Sequence, residues 1–342
     1  MIKKRVLVVD DSAVVRRYLI KLLESAGYEV DFARDGEEAL QKLASSHFSL
    51  VTLDIEMPKL DGIETLREIM NRKPTRVLMV SSYAQESSDL ALEALNLGAI
   101  DSVYKPKNSL EIAKISDEIL SKVANALTTV PQFLQKKREH FRAHDTAISS
   151  DISMRVVLIG SSTGGPRLIE KICKTLPKNY PHAVCVVQHM PTDFTANFAK
   201  RLNGISEVEV LEADNGLELK AGRVIIAKGG KHLHFRKKLK SIIVQLSSNV
   251  RERFFTPSVD EMFMSAASTL SCSNILAIEL TGIGDDGADG MVELRRKVAY
   301  TIAESEQSAV VYGMPKEAAL RGGAQKVLDF NEIVDEIIKY GQ

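Results

Sequence analysis

The sequence predicts two α/β units, each built on a doubly wound, mostly parallel sheet, and three observations carry that prediction. Apolar runs of only a few residues alternate with segments of helical period. Many of those runs stop abruptly on polar residues, among them Asp10-Asp11, Asp54, Ser81-Ser82, Lys105 and His189. The chain has 342 residues, more than one hydrophobic core usually serves. In such sheets ligands gather at the carboxyl ends of the strands, so the residues that end each run are the first candidates for function.

In the first half, Arg5–Val9 reads as a strand ending in Asp10-Asp11, followed by a helical segment over Val14–Ser25. Tyr28–Phe32 is a second strand and Gly36–Ala44 a second helical segment. Leu50–Leu53 ends in Asp54, Arg76–Val80 in Ser81-Ser82, and Ile100–Tyr104 in Lys105-Pro106. Three converging carboxylates beside a lysine repel one another unless a cation joins them. Oxygen ligands with open positions suit Mg²⁺, which accepts one or two carboxylates together with waters and phosphoryl oxygens.

Bulk composition narrows the classes. Lys plus Arg and Asp plus Glu both number 45, so no overall field favours nucleic acid or an anionic membrane. The short basic clusters Lys136-Lys137-Arg138 and Arg236-Lys237-Lys238 lack the interleaved aromatics of a single-strand platform. Cys173, Cys185 and Cys272 are too few and too scattered for a disulfide framework or a metal cage and read as small core residues. No apolar run reaches the roughly 18 residues of a membrane span, and the N-terminal run is too short for a signal peptide. A cytoplasmic protein without direct membrane insertion is expected.

From Lys122 to Ile152 the apolar period decays through Thr128-Thr129-Val130-Pro131, a charged stretch and Ser149-Ser150-Asp151, which reads as a linker. The expected division is 1–125, a linker over 126–152, and 153–342.

The second half opens on the strand Val156–Ile159 and the turn Gly160-Ser161-Ser162-Thr163-Gly164-Gly165-Pro166. Small residues two places either side of Ser162 permit a sharp strand–turn–helix that lifts a serine from the sheet, with the Thr163 amide aimed where an oxyanion would form. By itself the Gly-x-Ser-x-Gly pattern equally describes a phosphate cradle or a plain tight turn. Ala183–Val187 ends in Gln188-His189, which puts a histidine on the same sheet edge as the serine, whereas His182 belongs to the opposite edge. His232 and His234 suggest a metal pair, but no third ligand motif accompanies them, and they read as polarity on a strand surface. Ile275–Leu280 runs into Thr281-Gly282-Ile283-Gly284-Asp285-Asp286-Gly287. That loop could be a phosphate loop, though its acids repel phosphate, a helix N-cap, or the source of an acid that orients His189.

Residues 1–125 resemble a response-regulator receiver domain through Val8-Val9-Asp10-Asp11-Ser12, Asp54-Ile55-Glu56-Met57-Pro58, Ser81 and Lys105-Pro106. The resemblance implies a flavodoxin-like five-stranded fold with Asp54 as phosphoryl acceptor. It also implies Mg²⁺ held by Asp10, Asp11, Asp54 and the Glu56 carbonyl, with Ser81 and Lys105 on the phosphoryl oxygens. Ser102 stands where receivers usually carry an aromatic switch residue.

Residues 153–342 resemble the catalytic domain of chemotaxis protein-glutamate methylesterases, the CheB family. The matching motifs include Ile159–Gly165, Gln188-His189-Met190-Pro191, Gly229-Gly230-Lys231-His232-Leu233, Pro257-Ser258-Val259-Asp260, Leu280–Gly287 and Val311-Tyr312-Gly313-Met314-Pro315. The resemblance implies Ser162 as nucleophile, His189 as base, Asp286 as orienting acid, and the backbone amides of Thr163 and Ile283 as oxyanion donors. Ile283 replaces a methionine common in that loop, and Lys228 stands where proline is usual. It further implies demethylation of glutamate methyl esters and deamidation of glutamines on methyl-accepting chemoreceptors, with no cofactor for that reaction. A histidine kinase of the chemotaxis system would be the phosphodonor, and the receiver would cover the serine-bearing sheet edge until Asp54 is phosphorylated. Two other readings stay open: the same hydrolase aimed at a different ester or amide, and a catalytically inert phospho-gated adaptor.

Overall fold

The computed structural model describes residues 4–81, 85–105, 109–128, 155–192, 194–239, 241–248 and 255–340. The chain divides into two compact units, Met1–Lys137 and Arg138–Gln342. Most of the expected linker, residues 129–152, lies outside the described residues.

In the first unit the elements run β1 (Arg5–Val9), α1 (Ala13–Ser25), β2 (Glu29–Ala33), α2 (Gly36–Ser45), β3 (Leu50–Asp54), α3 (Gly62–Arg72), β4 (Val77–Ser81), α4 (Gln85–Leu97), β5 (Asp101–Tyr104) and α5 (Ser109–Thr128). The strands form a parallel sheet in the order β2-β1-β3-β4-β5. The order reverses between β1 and β3, and this switch point opens the crevice into which Asp10 and Asp54 lead. Helix starts are written locally. Ser12, Asp35 and Asp61 each accept a first-turn amide with the side chain, and Asp61 with Glu64 completes a reciprocal capping box. Gly62 must be glycine because a Cβ there would lie 2.0 Å from the Asp54 carbonyl.

The second unit runs β6 (Val156–Ser161), α6 (Gly165–Thr175), β7 (Ala183–Gln188), α7 (Phe194–Ile205), β8 (Glu209–Glu212), β9 (Arg223–Ile226), β10 (His232–Lys238), β11 (Ser241–Ser247), α8 (Val259–Thr269), β12 (Ile275–Glu279), α9 (Ala288–Arg296), β13 (Tyr300–Glu304), α10 (Met314–Leu320), β14 (Lys326–Leu328) and α11 (Phe330–Tyr340). Seven strands pair in parallel in the order β14-β13-β12-β6-β7-β9-β8, and β10 with β11 makes a separate antiparallel hairpin. The chain builds outward from β6 through β7 and then crosses to β12, so the switch point falls between β6 and β12. Every residue of β6, β7 and β12 is buried, which is why these segments read as apolar runs, broken only at their last positions, rather than as alternations. Cys173, Cys185 and Cys272 are free and buried, as their apolar settings imply.

One sequence reading needs correction. His232 is not strand-surface polarity: it is 2 % exposed, and its Nδ1 accepts the Ser258 backbone N–H at 3.2 Å. Strand alternation could not reveal this because α8 covers the face of the hairpin that carries it.

Candidate active site

At the end of β6 the chain folds sharply into α6. Ser162 donates its N–H to the Thr281 carbonyl and accepts the Gly165 N–H on its own carbonyl, both at 2.9 Å. The flanking glycines are needed for different reasons. Gly164 has φ +83°, which a side chain strains, whereas a Cβ at Gly160 would lie 2.4 Å from the Val259 side chain.

Strand β7 delivers the histidine. Ser161 is the register partner of Gln188, so Ser162 and His189 follow side by side at one edge, and the His189 N–H donates to the Ser161 carbonyl at 2.9 Å. His189 Nε2 lies 2.8 Å from Asp286 Oδ2. An ionised carboxylate only accepts, so the neutral ring carries its proton on Nε2 and its lone pair on Nδ1. That Nδ1 is buried and has no hydrogen-bond partner among the described residues. Phe255 stacks on the ring with centroids 4.1 Å apart and an interplanar angle of 13°. The Ser162 hydroxyl is therefore not hydrogen-bonded to Nδ1, a contact that free hydrolytic sites often hold loosely.

Asp286 sits at the N-terminus of α8. Its Oδ1 accepts from the Ser258 hydroxyl at 2.6 Å and the Asp260 N–H at 3.1 Å, and its Oδ2 accepts from the Val259 N–H at 2.7 Å as well as from His189. These are the orphan donors of a helix start, and they favour an anion. Burial pushes the Asp286 carboxyl up, but the His189 contact and the donors from Ser258 and Val259 outweigh it and hold it at about 2. Ser258 accepts the Glu261 amide at 3.3 Å with the same hydroxyl that it donates to Asp286.

The loop bearing Asp286 also packs against the serine. A Cβ at Gly282 would lie 2.9 Å from Ser162 Cβ, and the Gly282 carbonyl accepts the N–H groups of Gly313 and Met314 at 3.1 and 2.9 Å. Pinning that carbonyl fixes the plane of the Gly282–Ile283 peptide and with it the direction of the Ile283 N–H. Thr281 fastens the loop to the serine turn by donating its hydroxyl to the Thr163 carbonyl at 2.8 Å. Its amide donates to Glu304 Oε2 at 2.8 Å, and burial pushes the Glu304 carboxyl up to about 7. Glu279 is fully buried, and neither carboxyl oxygen has a hydrogen-bond partner among the described residues. Burial, with Asp286 and Asp260 nearby, raises it well above the usual carboxylate range.

Of the other candidates, His182 lies at the amino end of β7, away from Ser162, with Nε2 2.8 Å from the Tyr340 carbonyl. His234 pairs with the Ser247 hydroxyl at 2.8 Å, and among the described residues no three-ligand group includes it. Asp285 points outward to Arg321 Nη2 at 2.5 Å, so the adjacent acids of the loop have separate partners. Sequence reasoning gave no role to Ser258, Gln188, Glu279 or Glu304. Ser258-Val259-Asp260-Glu261 does carry a capping signature, but nothing local says that the cap also reaches Asp286.

In the first unit, carboxylate oxygens of Asp10, Asp11 and Asp54 lie within 4.8 Å of one another, a donor set that fits a divalent, oxygen-liganded cation. Lys105 Nζ lies 2.6 Å from Asp54 Oδ2 and 2.9 Å from Asp10 Oδ2. Burial, which Lys105 only partly offsets, lifts Asp54 to about 6 and raises Asp10. The Ser81 hydroxyl is buried without a hydrogen-bond partner among the described residues. The Glu56 N–H donates to Asp54 Oδ1 at 3.3 Å. Ser102 is 4 % exposed, and its carbonyl accepts from Lys122 Nζ at 2.7 Å.

Fold and site together define a class: a parallel α/β unit of the hydrolytic kind, carrying a serine and a histidine–aspartate pair at its switch point, joined to an α/β unit with an acidic pocket. Family models match both halves, "Response regulator receiver domain" over residues 6–117 and "CheB methylesterase" over residues 157–337. A Carboxydothermus hydrogenoformans protein named protein-glutamate methylesterase/protein-glutamine glutaminase 2 is 42% identical over 99% of this chain and 99% of its own. A Thermotoga maritima protein named protein-glutamate methylesterase/protein-glutamine glutaminase is 39% identical over 98% of each chain. The crystal structure of the Thermotoga maritima CheB methylesterase catalytic domain matches with a TM-score of 0.53 and 39% identity, covering 55% of this chain and 99% of that one. The chain belongs to the CheB methylesterase family, with a receiver domain at its N-terminus. Among the described residues no helix is long and apolar enough to cross a membrane.

Proposed function

We propose that this protein hydrolyses glutamate methyl esters, and deamidates glutamines, on the cytoplasmic helices of chemoreceptors. Neutral His189 takes the Ser162 hydroxyl proton on Nδ1 while Ser162 Oγ attacks the ester carbonyl. Asp286 stabilises the imidazolium, and the Thr163 and Ile283 amides hold the oxyanion. The imidazolium returns its proton to the departing methanol, and water then releases glutamate by the same steps reversed. The observation that supports this most is the His189–Asp286 hydrogen bond of 2.8 Å, which leaves Nδ1 as the basic nitrogen at the edge where Ser162 emerges. The names of the relatives support glutamate methyl esters and glutamines on protein as the substrate class.

In the receiver, Asp54 accepts a phosphoryl group from a histidine kinase, with Ser81 and Lys105 on the phosphoryl oxygens. Asp10, Asp11, Asp54 and the Glu56 carbonyl would hold Mg²⁺, which offsets charge on the transferring group when bound. Phosphorylation raises turnover of the second unit. The test is methanol release from a methylated receptor fragment, with and without a small phosphodonor and Mg²⁺. No release from that fragment, together with turnover of small esters, would redirect the substrate; no turnover of either would end the enzymatic reading.

A further inference from the structure

Gln188 has a buried side chain that the reaction above does not use, and its three hydrogen bonds all go to the two segments that carry the reacting groups. Its Oε1 accepts the Ser161 hydroxyl at 2.7 Å. Its Nε2 donates to the carbonyls of Ser162 at 2.8 Å and His189 at 2.9 Å. The orientation of the amide follows from these partners: two carbonyls require the NH₂ group, and a hydroxyl can donate to the remaining oxygen. Gln188 is 1 % exposed, and its bonds to the Ser161 hydroxyl and the Ser162 carbonyl are buried.

The consequence lies in the peptide plane. In a trans peptide the carbonyl oxygen of one residue and the N–H of the next point in opposite directions. The Ser162 carbonyl is pinned twice, by Gln188 Nε2 and by the Gly165 N–H at 2.9 Å. Holding it there aims the Thr163 N–H the other way. The Gly282–Ile283 peptide is fixed by the same means, through two donors on the Gly282 carbonyl. Both amides expected to hold the oxyanion therefore have their planes set from behind, one by backbone alone and the other by backbone plus a single side chain. The second hydrogen of the Gln188 amide fixes the His189 carbonyl, which ties the base loop to the serine turn.

We infer that Gln188 is a positioning residue for the reaction: it aims the Thr163 N–H and fixes the spacing of the Ser162 turn from the His189 loop. This rests on the proposed roles of Ser162, Thr163 and His189. A misaimed oxyanion donor weakens the transition state and leaves substrate binding intact, so the loss belongs in kcat.

Gln188→Met keeps the length and apolar bulk of the side chain and removes all three bonds. Gly165→Ala attacks the same amide from outside, since a Cβ there would lie 2.2 Å from Gln188 Oε1. With methylated receptor fragment as substrate, kcat is expected to fall roughly 10- to 100-fold in Gln188→Met and several-fold in Gly165→Ala, with KM within about twofold. Gln188→Glu sets an ionised carboxylate against two carbonyl oxygens; once protonated it regains one donor. Burial beside two carbonyls raises that carboxyl, so its kcat relative to wild type should rise as pH falls through the raised pKa; a Gln188→Glu variant as impaired as Gln188→Met at every pH would show packing rather than donation and overturn the inference. A kcat within twofold of wild type in both Gln188→Met and Gly165→Ala, or a loss confined to KM, also overturns it. If Gln188→Met does not fold, Gly165→Ala decides. Ser162→Ala runs in parallel: turnover retained there removes the underlying reading, whatever the Gln188 variants do.

Discussion

Replacing Asp286 by asparagine tests the charge arrangement of the site directly. Three donors from the start of α8, Ser258 Oγ, Val259 N–H and Asp260 N–H, meet the carboxylate together with His189 Nε2. An asparagine offers one acceptor oxygen and one NH₂. With the NH₂ at Oδ2 it opposes the Val259 amide and forces His189 to accept on Nε2, which moves the ring proton to Nδ1 and removes the base. With the NH₂ at Oδ1 it opposes the Asp260 amide. The charge itself matters too. A carboxylate about 4 Å from an imidazolium, at an effective dielectric constant of about 20, contributes roughly 4 kcal/mol, or about 10³ in rate. Adding the inverted tautomer, the expected loss in kcat is about 10³- to 10⁴-fold, with KM little changed. Methanol release from methylated receptor fragment measures it. A kcat within tenfold of wild type would refute the pairing of a charged Asp286 with His189 Nε2 as the source of the base.

The remaining predictions concern other links. The Asp286 carboxyl is depressed to about 2 from an ordinary 3.8, so its stabilisation is complete above 3.8 and is lost as pH falls towards 2. That loss is about 2 kcal/mol, and acid unfolding should show it in wild type and not in Asp286→Asn. Ser162→Ala should lower turnover on the order of 10⁴- to 10⁶-fold and abolish labelling by a fluorophosphonate. Asp54→Ala should retain basal methanol release but lose stimulation by phosphodonor, which is expected to be roughly 5- to 150-fold; chelation should do the same in wild type. Gly287→Ala strains a residue at φ +99° and drives a Cβ to 2.1 Å from Glu279 Oε2. It should destabilise the protein by more than about 2 kcal/mol in denaturant unfolding.

The sequence by itself determined the central strands, since residues buried on both faces of a parallel sheet are mostly apolar, and Val156–Ile159 and Ala183–Val187 stand out for that reason. It also determined the turn at Ser162 in part: Gly164 meets a local backbone demand at φ +83°, whereas the demand on Gly160 comes from Val259, far along the chain. The helical period at the end of the first half was harder to bound: α5 continues to Thr128, where composition alone already shows a decay.

Only the tertiary structure decided which polar groups meet. Asp286 and Asp285 are neighbours in the chain, but one turns into the start of α8 and the other outward to Arg321. Gln188 reads as the last residue of a strand, and its task depends on a register partner 27 positions away. His232 reads as strand-surface polarity until α8 covers it. Apolar burial is a property of each residue's own type and period, so it is legible locally. A hydrogen bond needs a particular partner at a particular angle, and in this fold those partners are brought together by the crossover of the chain between β6 and β12.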